Sequence, residues 1–159
     1  MDEIVTQTKI EASPAKVWEF LIDFDSYPEW NPSLDIDGDA KEGSQLEVTF
    51  KYPNQSPTTM KTTVLVVDEP TELRWDARLF IPYLYDGEHR FVLTPLDDGE
   101  RTRLVQAESF KGLLVGFVNR RIGDDIEEGF RQMNERLKEH VEGTTVDGPN
   151  DVIQDARTE

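Results

Sequence analysis

The sequence of 159 residues contains no cysteine and only two histidines. The absence of cysteine excludes disulfide bonds, thiolate metal sites and cysteine nucleophiles, and two distant histidines do not suggest a metal centre. No apolar run approaches the ~20 residues that a membrane-spanning helix needs. The sequence also lacks a phosphate-binding glycine loop, a serine-hydrolase elbow and an EF-hand loop. We therefore expect no metal, no cofactor and no membrane insertion.

Positive charge is scarce in this chain. Lys and Arg number 17 against 33 Asp and Glu, which gives a formal net charge of −16 at pH 7. Such a field repels nucleic acid, which is therefore not expected as a partner. Acidic residues spread along the whole chain favour a protein adapted to a high-salt cytoplasm, where self-repulsion is screened, and an ordinary acidic protein is the alternative. The opening residues resemble a strand and not a secretory signal, so we expect a cytoplasmic location.

A single long helix is predicted near the end of the sequence, from Leu113 to Glu142. The spacing of its apolar residues describes one face of an α-helix, and charged residues fill the other face. At a rise of ~1.5 Å per residue this helix would be ~45 Å long, so its apolar face needs a broad sheet to lie on. The apolar positions recur every three or four residues, at Leu114, Val118, Ile122, Ile126, Phe130, Met133, Leu137 and Val141.

The residues before this helix predict about seven strands and two short helices. Ser13 and Pro14 form a helix start after the first strand, and the turn-rich segment Asp25–Pro32 holds a second short helix. Short turns join the later strands, so we expect a curved antiparallel sheet that wraps the long helix and leaves a cavity. Residues 1–142 would form one domain and 143–159 a disordered acidic tail. Strands are expected at 3–11, 34–37, 45–52, 60–67, 73–79, 89–93 and 104–110.

Three segments of the chain carry a family resemblance. They are SPAKVWEFLIDFDSYPEWNP at Ser13–Pro32, EHRFVLTP around His89 and Phe91, and ESFKG at Glu108–Gly112. Together they resemble the START/Bet v 1-like (SRPBCC) superfamily, and within it the polyketide cyclase/dehydrase and lipid-transport group. The resemblance implies an α+β helix-grip fold with a seven-stranded sheet, a long C-terminal helix and an internal pocket for apolar ligands. That superfamily includes lipid carriers, hormone receptors and cyclases, so fold alone does not settle function.

A predicted hairpin brings several polar residues together. If the turn at 97–100 pairs its flanking residues, His89 faces Glu108, with Cβ atoms about 5.5 Å apart or closer. Phe91 then faces Gln106 on the same side of the sheet. The apolar residues of this face predict that it points inward, where polar groups cost free energy unless they pair. His89 and Glu108 are therefore candidates for an acid/base couple, a ligand anchor or a structural hydrogen bond. A register slip of one residue would separate them.

Aromatic residues supply the other expected contacts with a ligand. Tyr27 and Trp30 either edge the pocket entrance or plug the end of the core, and Trp75 is either core or pocket wall. The apolar walls are expected to provide most of the affinity. These walls are Phe20, Phe50, Trp75, Phe91, Leu104, Phe117 and Phe130, and the full set of candidates adds Tyr27, Trp30, His89, Gln106 and Glu108.

Two further features leave alternatives open. The apolar loop Phe80–Tyr85 must be covered, as a pocket rim, a homodimer contact or buried core. Glycines at 116, 123 and 129 interrupt the long helix, and they indicate either room for a ligand, a kink or close helix–sheet contact.

Three functions are consistent with these features. The first is binding or transport of a small hydrophobic or amphipathic molecule in an internal cavity. The second is a cyclase or dehydratase that acts on a polyketide-like substrate, with His89 and Glu108 as base and acid. The third is a protein-interaction module that uses the loop Phe80–Tyr85 and whose cavity is filled by side chains.

Overall fold

The sheet contains seven antiparallel strands. In the computed structural model, which describes residues 2–78 and 83–146, the strands are β1 (Asp2–Ile10), β2 (Leu34–Asp37), β3 (Gln45–Phe50), β4 (Thr58–Asp68), β5 (Glu72–Arg78), β6 (Asp86–Leu96) and β7 (Arg101–Lys111). Their order across the sheet is β1-β7-β6-β5-β4-β3-β2. The sheet curls around a long C-terminal helix, which confirms the expected helix-grip α+β fold. The strand ends differ from those expected by at most three residues.

The helices begin where local chemistry favours them. Helix α1 (Pro14–Ile22) has Ser13 as its N-cap, and the Ser13 hydroxyl oxygen accepts the backbone N–H of Lys16 at 3.3 Å. Helix α2 (Tyr27–Trp30) follows after a short 3-10 turn. These are the two short helices expected between the first two strands.

The long helix, α3 (Val115–Val146), begins two residues after the predicted Leu113 and ends four residues after the predicted Glu142. Just before it, the backbone N–H groups of Leu113 and Leu114 donate to the carbonyls of Tyr83 and Leu84. Residues 143–146, expected in the tail, are helical, and the rest of the expected tail lies outside the described residues.

Burial along α3 follows the predicted stripe in its second part only. Ile126, Phe130, Met133, Leu137 and Val141 are all at most 4% exposed. Leu114, just before the helix, is 40% exposed, and Val118 and Ile122 in its first turns are half-buried. The helix therefore packs tightly on the sheet from residue 126 onward, and its first turns lie above a more open region.

The three glycines of α3 have different surroundings. A β-carbon at Gly129 would collide with the ring of Tyr52, whereas one at Gly116 would meet nothing within 4 Å. One at Gly123 would meet only Cβ of Asn119, at 3.7 Å. Close contact with Tyr52, two residues beyond the end of β3, therefore accounts for Gly129 and not for the other two.

Candidate ligand-binding site

The β6–β7 hairpin has the predicted register. His89 lies opposite Glu108, and Phe91 lies opposite Gln106. These four side chains are at most 7% exposed, so the face that carries them points into the interior.

The polar residues of this face form a chain of hydrogen bonds. Nδ1 of His89 lies 2.9 Å from Oε1 of Glu108, and Nε2 of His89 lies 3.0 Å from Oε1 of Gln106. His89 and Gln106 are fully buried and Glu108 is 7% exposed. Every polar atom of the imidazole thus has a partner, as burial requires.

These hydrogen bonds continue to residues of α3 and β1. Nε2 of Gln106 donates to Oδ1 of Asn134 at 2.7 Å and to the backbone carbonyl of Phe130 at 3.3 Å. Nδ2 of Asn134 donates to the Thr6 hydroxyl oxygen at 2.8 Å. That hydroxyl donates to the backbone carbonyl of Gln106 at 3.0 Å. The network therefore connects the first strand, the last strand and the last helix.

Sequence reasoning missed the two residues that complete this network. Thr6 lies on the face of β1 that also carries Ile4 and Ile10, so its inward direction was visible in the alternation. Asn134 lies four residues after Phe130 and so shares its face of the helix. A polar residue at each of these apolar-face positions was the available signal.

Aromatic rings enclose His89 on several sides. Trp75 stacks on the imidazole, with ring centroids 4.9 Å apart and an interplanar angle of 4°. The rings of Phe91 and Phe130 also have centroids 4.9 Å from that of His89. Trp75 is therefore core, and the region around His89 is packed solid.

A cavity of about 170 Å³ lies beyond Glu108, between the sheet and the first half of α3. Ser56 and Thr58, on its rim, are exposed, so the cavity opens to solvent there. The β3–β4 loop that carries this rim is tied to α3, because Nε2 of Gln55 donates to Oδ2 of Asp125 at 2.7 Å. The lining residues are Phe50, Tyr52, Gln55, Ser56, Thr58, Met60, Tyr85, Glu108, Ile122 and Ile126.

Two phenol groups share the cavity wall with Glu108. The pKa values of Tyr52 and Tyr85 are raised far above the ordinary range. Burial of the phenol groups is the main cause, and the charge of Glu108 is the second. The Tyr85 hydroxyl donates to Oδ1 of Asn119 at 2.7 Å. Both phenols therefore stay neutral at physiological pH, and the cavity presents an apolar wall with few polar atoms.

Of the candidates expected from the sequence, Phe50 and Glu108 line this cavity. The core behind it holds Trp75, His89, Phe91, Leu104, Gln106 and Phe130, each at most 2% exposed. Phe20 is half-buried against the same core. The sequence did not single out Tyr52, Tyr85, Ile122 and Ile126 as ligand contacts, although Tyr52 continues the alternation of β3 and both isoleucines belong to the predicted helix stripe.

The structure corrects the placement of Phe117. Its side chain is 59% exposed on the outer face of α3, with the Arg121 guanidinium 5.2 Å from the ring centroid. Successive residues of an α-helix are rotated by about 100°, so Phe117 points away from the stripe that contains Val118. It therefore does not line the interior.

Tyr27 and Trp30 lie at the other end of the core and not at the cavity. The Tyr27 hydroxyl donates to the carbonyl of Leu21 at 2.5 Å, and the Trp30 ring stacks on His140 with centroids 6.0 Å apart. This position corresponds to the plug and not to the pocket entrance. The proposed dimer loop Phe80–Tyr85 is described only from Tyr83 onward, where Tyr83 is 82% exposed and Tyr85 is buried.

Among residues 2–78 and 83–146, no group of three or more His, Asp or Glu side chains is placed to hold a metal ion. Within that same part of the chain, no helix is long and apolar enough to cross a membrane.

The strand order and the long last helix define a helix-grip fold, and an open pocket lies between the sheet and that helix. The family model described as polyketide cyclase / dehydrase and lipid transport matches residues 1–142, and the chain belongs to this family. No curated protein sequence matches it.

Solved structures share the fold at low sequence identity. The Zhui aromatase/cyclase from Streptomyces sp. R1128 aligns with a TM-score of 0.70 and 14% identity, over 89% of this chain and 93% of its own. A point mutant of norcoclaurine synthase from Thalictrum flavum, in complex with a transition-state analogue, aligns with a TM-score of 0.67 and 15% identity. The alignment covers 91% of this chain and 96% of the synthase chain. The protein TTHA0849 from Thermus thermophilus aligns with a TM-score of 0.70 and 17% identity, over 90% of this chain and 99% of its own. At these identities the likeness shows the fold alone.

Proposed function

We propose that this protein binds or transports a small amphipathic molecule, which it holds in the cavity beside Glu108. The observation that carries the proposal is an apolar wall around one largely buried carboxyl group. Phe50, Met60, Ile122 and Ile126 offer apolar contact, and Glu108 offers a polar anchor. Apolar enclosure with a few placed polar groups is the usual composition of a small-molecule site. Membership in a family of cyclases, dehydrases and lipid transporters supports the same function.

The size of the cavity limits what it encloses. An apolar cavity of ~150 Å³ binds a single benzene ring in an engineered protein. The cavity of about 170 Å³ therefore suits one ring or a branched alkyl group of similar size. A longer ligand would extend past Ser56 and Thr58 into solvent.

Thermal unfolding with toluene as the probe tests this proposal. We expect the Tm to rise with toluene concentration, because a ligand that binds only the folded state stabilises it by mass action. Ile122→Trp should fill the cavity and abolish the rise. Val5→Trp introduces the same side chain at an exposed position of β1 and should leave the rise intact. A Tm that toluene and similar apolar probes leave unchanged in the wild-type chain would contradict the proposal.

A catalytic function with His89 and Glu108 as base and acid has less support. His89 is fully buried against Trp75, Phe91 and Phe130. It does not line the cavity, so a ligand there would contact Glu108 and not His89. Direct proton transfer by a side chain needs hydrogen-bond reach of the reacting group. An interaction module with a filled cavity has less support still, because about 170 Å³ is open beside Glu108.

We also propose that the protein works in a salt-rich cytoplasm. The support is the net charge of −16, which is distributed along the whole chain. High ionic strength screens the repulsion that such a charge creates.

A further inference from the structure

We infer that the ligand presents a neutral hydroxyl group, of a phenol or an alcohol, and donates its proton to Oε2 of Glu108. This inference rests on the proposed binding function and adds the chemical class of the ligand. It follows from the direction of the buried hydrogen bonds behind the cavity.

The donor and acceptor roles in this row of hydrogen bonds are set first at Thr6. A backbone carbonyl can only accept, so the Thr6 hydroxyl must give its proton to the carbonyl of Gln106, 3.0 Å away. The Thr6 oxygen is then an acceptor toward Asn134, and the amide group of Asn134 must turn its nitrogen to Thr6. Oδ1 of Asn134 therefore faces Gln106.

The amide of Gln106 is fixed in the same way. Its Nε2 lies 2.7 Å from Oδ1 of Asn134 and 3.3 Å from the carbonyl of Phe130, and both of those atoms only accept. The amide cannot be turned over without placing oxygen against oxygen at both contacts. Oε1 of Gln106 therefore faces His89, and Nε2 of His89 must carry a proton to bond to it.

One proton must then lie between His89 and Glu108. With Nε2 protonated, the 2.9 Å contact between Nδ1 and Oε1 is a hydrogen bond only if Nδ1 or Oε1 carries a proton. The first case is an imidazolium beside a carboxylate, and the second is a neutral imidazole beside a carboxylic acid. The net charge of the pair is zero in both cases. A further proton on Oε2 would give this buried pair a net positive charge, which burial disfavours. Oε2 therefore carries no proton and can only accept.

Oε2 is the oxygen that remains for a ligand. It lies beside Gly87, where a β-carbon would be 3.1 Å away, and Glu108 lines the cavity. The Tyr85 hydroxyl, also on the cavity wall, already donates to Asn119. A ligand hydroxyl supplies the proton that this site lacks. A ligand carboxylate would meet lone pairs instead, and a cation would lose water without meeting a net negative charge.

Four probes of one-ring size test the inference on the full chain by calorimetric titration. They are p-cresol, toluene, 4-methylanisole, which cannot donate, and 4-methylbenzoate, which is an anion. We expect p-cresol to bind most tightly and 4-methylbenzoate most weakly. In Glu108→Leu the ratio of p-cresol to toluene affinity should fall by about tenfold, the usual value of one such hydrogen bond.

Glu108→Gln is a matched variant in which the preference for p-cresol should be retained. Its amide can donate to Nδ1 of a neutral His89 and turn its carbonyl oxygen to the cavity, so the preference for p-cresol should persist. Loss of the preference in this variant would overturn the inference. The variant also keeps His89 paired, and it serves if Glu108→Leu fails to fold.

Nitrogen-15 NMR of the two histidines checks the proton positions directly. With signals assigned by a His140→Gln variant, Nε2 of His89 should be protonated in the wild type and in Glu108→Gln. A neutral His89 with its proton on Nδ1 would overturn the inference. If no probe binds, the proposed function itself fails; if toluene binds and the affinity ratio is the same in Glu108→Leu, only the hydroxyl inference fails.

Discussion

The ring of Tyr52 lies directly against the backbone of Gly129. A β-carbon at position 129 would be 3.0 Å from Cε1 of the tyrosine and closer still to Cδ1. The carbonyl of the same glycine accepts the Ser33 hydroxyl at 2.7 Å. Because Tyr52 lines the cavity, this contact between the helix and the segment that follows β3 also sets the position of one cavity wall.

Gly129→Ala should therefore destabilise the protein by about 1–3 kcal/mol, because the added methyl group forces Tyr52 or the helix to move. Gly123→Ala is the matched control in the same helix, where the methyl group meets only Cβ of Asn119 at 3.7 Å. It should be stabilising by up to ~1 kcal/mol, since alanine favours the helix. Denaturant unfolding of both variants provides the measurement. Equal effects of the two substitutions would show that the Tyr52 contact is unimportant.

Two buried threonines of the sheet should respond in opposite ways to valine. Thr6→Val removes the acceptor of Asn134 and the donor to Gln106, and it should cost about 1–3 kcal/mol because buried polar groups lose their partners. Within the described residues the Thr62 hydroxyl is buried without a hydrogen-bond partner. Thr62→Val should then be neutral or stabilising. The unfolding free energies of the two variants test the network, and a neutral Thr6→Val would contradict its importance.

The buried tyrosines should make the protein sensitive to alkali. Burial is the main cause that raises the pKa of Tyr27, Tyr52 and Tyr85 above the ordinary value. Below about pH 10 these phenols are protonated in both states, and their contribution to stability is fully present. Above that pH the unfolded state releases protons that the folded state retains, so stability falls as pH rises.

The measurement is the tyrosinate absorbance followed together with circular dichroism through an alkaline titration. Absorbance from these three tyrosines should appear only as the protein unfolds. Tyr52→Phe should remove one tyrosinate from that step. Ionisation of the three phenols in a protein that keeps its fold would contradict the expectation.

Stability should increase with salt. Between about 0.1 M and about 1 M KCl the screening length falls from ~10 Å to ~3 Å, which weakens repulsion among the excess acidic residues. We expect the Tm to rise over this range. A triple variant with Asp124→Asn, Glu135→Gln and Glu139→Gln, all on the solvent side of α3, changes the net charge from −16 to −13 and should show a smaller rise. A Tm that falls with KCl would count against the high-salt proposal.

The sequence predicts the sheet well because its signals are local. The turn at residues 97–100 fixes the pairing of Leu96 with Arg101, and strict alternation then places His89 opposite Glu108. The helix stripe predicts the inward position of Phe130 for the same reason. Periodicity counts only residues near one another in the chain, so these features need no knowledge of the folded interior.

The cavity and the network depend on contacts that periodicity does not contain. The stacking of Trp75 on His89 closes the interior where open space was expected, and the open space lies beside Tyr52 and Ile122 instead. The bond from Asn134 to Thr6 joins residues 128 positions apart. Phe117 was expected in the interior because its side chain is apolar, whereas its position on the helix turns that side chain toward solvent.

The position of β1 has a consequence for how the chain is made. Thr6 pairs with Gln106, a partner 100 positions later, and β1 pairs only with β7 within the described sheet. During synthesis, β1 therefore cannot form its backbone hydrogen bonds with β7 until the last strand has left the ribosome. Until then, the backbone groups of β1 are bonded to water.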